Sequence, residues 1–211
     1  MEKLIRKGAE ASIYLSKWFE FSAIRKERLP KPYRQKALDD AIRTQRTLRE
    51  ALLIAKARES GVPTPLIYFV DPKKAEITMQ NLEGKRLKEV FLEDDVALKK
   101  KLAKDVGRMV AKLHSAGIIH GDLTTSNFIF NNNKLFLIDF GLALQSTKQE
   151  DMGVDLKLIK EVLNGAHHND FQKLYSQIVA GYEEVAGKKR TKKVLGVVAE
   201  IERRGRYARI E

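Results

Sequence analysis

The chain has 211 residues, enough for one compact unit or for two small lobes sharing a cleft. It contains no cysteine, which excludes disulfides and thiolate metal sites and fits a reducing cytoplasm. Lysine and arginine number 40 against 28 acids, and the resulting charge of +12 calls for an anionic partner or a strongly basic surface. No apolar run approaches the roughly 18–20 residues of a membrane span and no secretory signal opens the chain, so the expectation is a soluble, cytoplasmic protein.

Lys3–Leu15 reads as two short β-runs around Gly8-Ala-Glu-Ala-Ser12, a turn whose backbone N–H groups can face an anion. Trp18–Lys26 reads as a strand ending in cations; Arg25 and Lys26 point to opposite faces, so only one can enter a cleft. Pro30-Lys-Pro32 breaks the chain, and a long helix is expected from about Ala37 to Ser60, closed by Gly61 and Pro63. Leu38, Ile42, Leu48, Leu52 and Ala55 form its approximate apolar stripe. Glu50 is the only acid between Asp40 and Glu59, amid Arg43, Arg46, Arg49 and Lys56. It either balances those neighbours or holds the strand lysine for a phosphate-binding task.

Pro65–Val70 and Glu76–Met79 look like further strands joined by Asp71-Pro-Lys-Lys74. The polar stretch Gln80-Asn-Leu-Glu-Gly84 suits a hinge, where backbone groups of Met79, Gln80 and Leu82 can meet an adenine edge. Asp94–Ala116 is the clearest helix, with Leu98, Leu102, Val106, Met109, Val110 and Leu113 on one face and Gly117 as its stop. His114, at its end, is expected to be structural.

Leu113–Gly141 carries the chemistry. It holds His120-Gly-Asp122, then Asn127, then Asp139-Phe-Gly141 after an apolar run. Phosphoryl transfer needs a carboxylate to orient its acceptor and oxygen ligands to hold magnesium on the nucleotide phosphates. Asp122 suits the first task, and Asn127 with Asp139 the second, because magnesium takes few protein ligands. A hairpin through Asn131-Asn132-Asn133 would return Asp139 to the level of Asn127. His120 is expected to brace the loop by hydrogen bonding.

Beyond Gly141 the pattern departs from a regulated protein kinase. Glycine stands where such enzymes carry the arginine that grips a phosphorylated activation loop, and only a short segment leads to Glu150-Asp-Met-Gly-Val-Asp155. Asp155, at the start of a helical run Leu156–Leu163, either accepts catalytic-loop N–H groups or caps that helix. Phe171–Val185 is amphipathic. Lys188-Lys-Arg190, Lys192-Lys193 and Arg203–Arg209 flank a helix carrying Val194, Val198 and Ile201. Arginines beside a tyrosine can grip phosphates and stack on a base.

These residues resemble the small atypical kinase subunit of the KEOPS (EKC) complex, a family related to RIO kinases. The likeness runs through Gly8-Ala-Glu-Ala11, Lys26-x-Arg28, Arg46-Thr-x-x-Glu50, His120–Asn127, Ile138–Leu142, Glu150–Leu156 and the closing Arg-Gly-Arg206. It implies an α+β, miniature bilobal protein-kinase-like fold: an antiparallel sheet with one long helix over residues 1–81, and a truncated, mostly helical C-lobe over 82–211. It also implies ATP and Mg2+ as cofactors, with Asp122 catalytic, Asn127 and Asp139 on the metal, and Lys26, favoured over Arg25, held by Glu50. Gly8, Glu10, Met79, Gln80 and Leu82 would complete the nucleotide site, and Arg203, Arg204, Arg206 and Arg209 would meet tRNA. The implied partners are the complex's threonylcarbamoyl-transferase subunit, its small regulatory subunits and tRNA. The implied activity is a serine/threonine kinase or ATPase supporting tRNA threonylcarbamoyladenosine formation. Competing readings are a small-molecule phosphotransferase of the aminoglycoside or choline type, and a nucleotide-binding tRNA scaffold.

Overall fold

A computed structural model describes residues 2–8 and 10–207, with side chains described as far as Arg204. Its N-terminal part is a five-stranded antiparallel sheet in the order β1-β2-β3-β5-β4, made of β1 (Lys3–Lys7), β2 (Ala11–Trp18), β3 (Phe21–Arg28), β4 (Ile67–Asp71) and β5 (Glu76–Gln80). Trp18 closes β2 instead of opening the next strand: Phe19, at φ 52°, turns the chain back, and Trp18 pairs with Phe21. The expected strand Trp18–Lys26 therefore spans a hairpin tip, disguised because a phenylalanine occupies the left-handed turn position usually given to glycine or asparagine.

One helix, α1 (Lys36–Glu59), accompanies this sheet. Its inward face is not the expected apolar stripe. Leu38, Leu48 and Leu52 are about half exposed, whereas Thr47, Glu50, Ala51, Leu53, Ile54 and Ala57 are buried. The hydrophobic pattern misled because a buried carboxylate, Glu50, sits on the inward side and shifts the packed face around the helix.

The remaining chain starts with β6 (Lys85–Arg86) and the short helix α2 (Leu87–Val90), then α3 (Val96–Ser115). Asp95 caps α3 by accepting the Leu98 N–H at 2.9 Å. A small sheet β6-β8-β9 uses β8 (Phe128–Asn131) and β9 (Lys134–Leu137); Asn132 and Asn133 both take positive φ, as a two-residue hairpin turn requires. The pair β7 (Ile118–Ile119) and β10 (Leu144–Gln145) closes the loops, and α4 (Gln149–Ala166), α5 (Phe171–Ala186) and α6 (Lys188–Tyr207) complete the chain. Here α4 begins well before the expected Leu156, and α6 contains the basic clusters instead of lying between them.

The core lies among α3, α4, α5 and α6, with Leu102, Val106, Leu113, Ile159, Ile178, Tyr182 and Val194 almost wholly buried. Helices α3 and α5 approach through paired glycines: a Cβ on Gly107 would lie 1.9 Å from the Ile178 carbonyl oxygen, and one on Gly181 2.0 Å from that of Lys104. Among the described residues, no helix is long and apolar enough to cross a membrane.

His167, just beyond α4, is buried with neither ring nitrogen hydrogen-bonded, packed edge-on against Phe91. Burial, then the nearby Lys99 ammonium, pushes its pKa below the ordinary histidine value, against the pull of Asp170. A folded-state pKa below the unfolded one means that the unfolded chain takes up the proton first. Stability is thus fully present above about pH 6.5 and falls as pH drops from there towards the folded value. Urea unfolding at pH 7.0 and 5.5 should show a loss of stability on acidification that His167→Leu reduces; an identical loss in the variant would assign the effect elsewhere.

Candidate active site

Between the sheet and the helical part lies a cleft with two joined cavities of about 300 Å³ each, sharing Arg6, Ile13, Lys26 and Asp139 in their walls. Lys26 is on β3, whose alternation sends Arg25 to the other face, where it pairs with Glu2, Glu27 and Glu76. The Lys26 ammonium lies 2.7 Å from Glu50 Oε1 on α1 and 2.7 Å from Asp139 Oδ1 in the loop after β9. Burial alone would depress this lysine, but the two carboxylates outweigh it and hold its pKa above the ordinary value. Asp139 responds in kind: burial opposes its charge, yet Lys26 keeps the carboxyl below its usual range.

The second oxygen of Glu50 accepts from Arg28, so this carboxylate serves two cations at once and none of its helical neighbours. Arg28 also lies 3.9 Å from Glu10, which accepts from Arg46 at 3.0 Å. A chain of alternating charges thus runs from the β1–β2 turn across α1 to Asp139. Arg28 and Arg46 are its unforeseen members; the K-x-R spacing on one strand face was the available signal, since residues two apart share a face.

Asp122 and Asn127 stand together, with the Asn127 Nδ2 amide donating to the Asp122 backbone oxygen and to its Oδ2, both at 2.8 Å. That leaves Asn127 Oδ1 for another partner. Asp139 takes φ 63°, a conformation that costs a non-glycine residue energy and recurs at functional sites. His120 joins the two loops: its Nε2–H donates to the Ile138 carbonyl at 3.1 Å, and its Nδ1 accepts the Asp122 N–H at 3.3 Å. Burial lowers its pKa, which keeps the imidazole neutral and preserves this one-donor, one-acceptor tautomer.

Asp155 is no cap, since α4 starts at Gln149. Wholly buried, it accepts the backbone N–H groups of His120 at 2.7 Å and Gly121 at 2.9 Å, and also His114 Nε2 at 3.3 Å. His114 Nδ1 in turn meets the Tyr182 hydroxyl at 2.9 Å. Gly121 has φ 76°, and a Cβ there would come 2.6 Å from the Leu142 carbonyl oxygen. The backbone therefore has no room for the arginine of regulated kinases.

Among the other expected residues, Gly8 and Glu10 line the cavity beside Lys26 and Asp122, while Met79, Gln80 and Leu82 line the more apolar one. The Gln80 N–H donates to Leu66 O at 2.7 Å and Asn81 N–H to Ser22 O at 3.2 Å, leaving the Leu82 N–H unengaged among the described residues. Arg204 pairs with Glu150 at 3.2 Å, Arg203 is exposed on α6, the Arg206 side chain is not described, and Arg209 lies outside the described residues. No cluster of three or more His, Cys, Asp or Glu that could hold a metal occurs among the described residues. The donor set at the cleft, Asn127 and Asp139, fits magnesium completed by phosphate oxygens and water.

This architecture is that of the protein-kinase-like fold. It superimposes on the structure of WaaP in complex with acyl carrier protein with a TM-score of 0.67, at 19% identity over 98% of this chain and 88% of the other. It also superimposes on the Rio2 kinase–ADP/Mg2+–phosphoaspartate complex from Chaetomium thermophilum, with a TM-score of 0.65 at 15% identity over 94% and 70% of the two chains. Residues 9–182 match the lipopolysaccharide kinase (Kdo/WaaP) family. The KEOPS complex subunit Bud32 of Pyrococcus abyssi is 41% identical over 97% of this chain and 96% of its own. A probable bifunctional tRNA threonylcarbamoyladenosine biosynthesis protein of Methanobrevibacter smithii is 41% identical over 98% of this chain, which spans only 37% of that relative. The chain belongs to the Kdo/WaaP kinase family and, within it, to the family of the KEOPS subunit Bud32.

Removing the Glu50 carboxylate would leave Lys26 and Arg28 buried with one charge-paired neighbour fewer each. Glu50→Ala should cost roughly 3–5 kcal/mol of unfolding free energy, as expected for breaking a buried ion pair. Denaturant titration reads this directly, and a loss under 1 kcal/mol would mean that the network is not structurally coupled.

Proposed function

We propose that this protein is a Mg2+-ATP-dependent atypical serine/threonine kinase and ATPase that supports tRNA threonylcarbamoyladenosine formation. The observation that carries the reading is the Lys26 ammonium fixed at 2.7 Å from both Glu50 and Asp139 beside Asp122 and Asn127. Residues 1–81 act as the N-lobe and 82–211 as the C-lobe. Adenine stacks in the apolar cavity against Met79, Gln80 and Leu82, with the Leu82 N–H meeting a ring nitrogen. Gly8 and Glu10 border the phosphates from above, and Lys26 turns part of its charge to them. Asn127 Oδ1 and the Asp139 carboxylate would hold Mg2+, which would supply positive charge against the nucleotide phosphates.

Asp122 orients the acceptor, a water or a hydroxyl, along the line of attack on the γ-phosphorus. The new phosphorus–oxygen bond forms as the bond to the β,γ-bridging oxygen breaks, ADP leaves with that oxygen, and the acceptor proton passes to the Asp122 carboxylate. Asp155 and His120 hold this loop in place before the nucleotide arrives. A short segment between Gly141 and α4, and a Gly121 with no space for a phosphate-gripping side chain, leave little platform for peptide docking, which favours water as an acceptor.

The bifunctional relatives join a segment like this one to a longer remainder in a single polypeptide. That fusion supports a threonylcarbamoyl-transferase as the partner here, with smaller regulatory subunits and tRNA completing the assembly. The basic C-terminal sequence, with Arg203, Arg204, Arg206 and Arg209, supplies the phosphate contacts to tRNA, and the charge of +12 is in keeping with that partner.

Phosphate release by the purified chain, with and without transferase and tRNA, tests the activity. Asp139→Ala and Lys26→Ala should reduce ATP turnover at least 100-fold with the fold retained by circular dichroism; unaltered turnover would leave a nucleotide-binding scaffold as the better reading. Deleting residues 203–211 should weaken tRNA binding and flatten its salt dependence, whereas an unchanged affinity and slope would move the RNA contact elsewhere.

A further inference from the structure

Two arginines in the cleft have no part in the chemistry just described. Arg6, on β1, is one of four residues common to both cavities, placed where the apolar cavity opens into the phosphate-side one. Among the described residues it makes no hydrogen bond or ion pair. Arg86, on β6, lines the more apolar cavity from the C-lobe side together with Asn127 and Asp139. One of its nitrogens donates to the Ser126 carbonyl, next to Asn127, and this bond fixes the guanidinium plane. Its remaining N–H groups have no acceptor among the described residues.

Two guanidinium groups therefore face one cavity from opposite lobes. The one carboxylate common to both cavity walls, Asp139, is already engaged by Lys26. Burial holds the Arg86 guanidinium below its ordinary pKa, and repulsion from Arg6 adds to that effect, although Glu89 and Asp139 oppose it. Arg6 is exposed and Arg86 half-buried, so the two like charges repel across the mouth of the cavity, and an anion between them reverses the sign of the interaction.

Resting on the nucleotide-site reading above, we infer that Arg6 and Arg86 form a guanidinium pair that grips the phosphate chain of the nucleotide from both lobes. The pair positions the phosphates and favours nucleotides carrying two or more phosphates over the bare nucleoside. Arg6 shares the junction of the two cavities with Lys26 and Asp139, and Arg86 lines the base-side cavity beside Asn127, so the pair would meet the phosphate chain alongside those residues. Arginine suits the task because its planar fork can bond the protein carbonyl with one edge and a phosphate with the other.

Calorimetric titration of the full chain with ADP and with adenosine, both with Mg2+ present, tests the pair. Arg6→Gln and, separately, Arg86→Lys should each weaken ADP binding by about tenfold, the loss expected for one charge-assisted hydrogen bond, and leave adenosine affinity unchanged. Arg6→Gln should also leave the melting temperature of the ligand-free protein unchanged or higher, because it removes a repulsion. Equal losses for ADP and adenosine would overturn the inference, since that is the mark of a damaged pocket. So would unchanged ADP affinity in both variants. If Lys26→Ala still abolishes turnover in that case, only the arginine pair is refuted; if it does not, the nucleotide site itself is misassigned.

Discussion

A single buried ammonium group organises this molecule. Lys26 comes from the sheet, Glu50 from α1 and Asp139 from the loop after β9, so one cation joins three elements that are far apart in sequence. Coulombic attraction in a poorly solvated site makes that junction strong, and the same burial makes it costly to leave incomplete. The arrangement explains why α1 turns a carboxylate and small residues inward and leaves leucines in solvent: Glu50 has to reach β3. It also explains why Asp139 tolerates a strained backbone, since that strain aims its carboxylate at the lysine.

Beneath this junction, the loop His120–Asp122 is held by a second polar centre of a different kind. Asp155 gathers two backbone N–H groups and a histidine, and Tyr182 secures that histidine from α5. Neutral His120 then ties the Asp122 loop to the residue before Asp139. Every member is hydrogen-bonded, which is the condition under which a buried polar network rigidifies a site instead of weakening it. Asp122 and Asn127 are thus positioned by the helical core, not by the nucleotide. This is the pre-organisation that phosphoryl transfer requires, because positioning and charge stabilisation supply nearly all of its catalysis. A kinase of this design does without an ordered activation segment: its loop is braced from below by permanent contacts.

The family relationship fits this economy. The chain covers almost the whole of the Pyrococcus relative but about a third of the bifunctional ones, so the same unit serves both as a separate chain and as a segment of a larger one. Its resemblance in fold to WaaP and Rio2 at under 20% identity shows how little of the sequence the architecture needs once the charged junction and the apolar core are in place.

The sequence alone was enough to single out the candidate site residues and the local turns. Asp122, Asn127 and Asp139 stood out because few residue types can hold magnesium or orient an acceptor, and Asn132-Asn133 announced their hairpin because few residues tolerate positive φ. Strongly periodic helices such as α3 were legible for the same local reason. Tertiary structure alone decided which strand cation faces the cleft, that Arg28 shares Glu50 with Lys26, that Asp155 serves the catalytic loop instead of capping a helix, and that Phe19 closes a hairpin. Apart from the local hairpin at Phe19, these depend on partners 22 to 113 positions away, from Arg28 with Glu50 to Lys26 with Asp139. Burial and Coulomb energy act through space, so no local window of sequence can carry them.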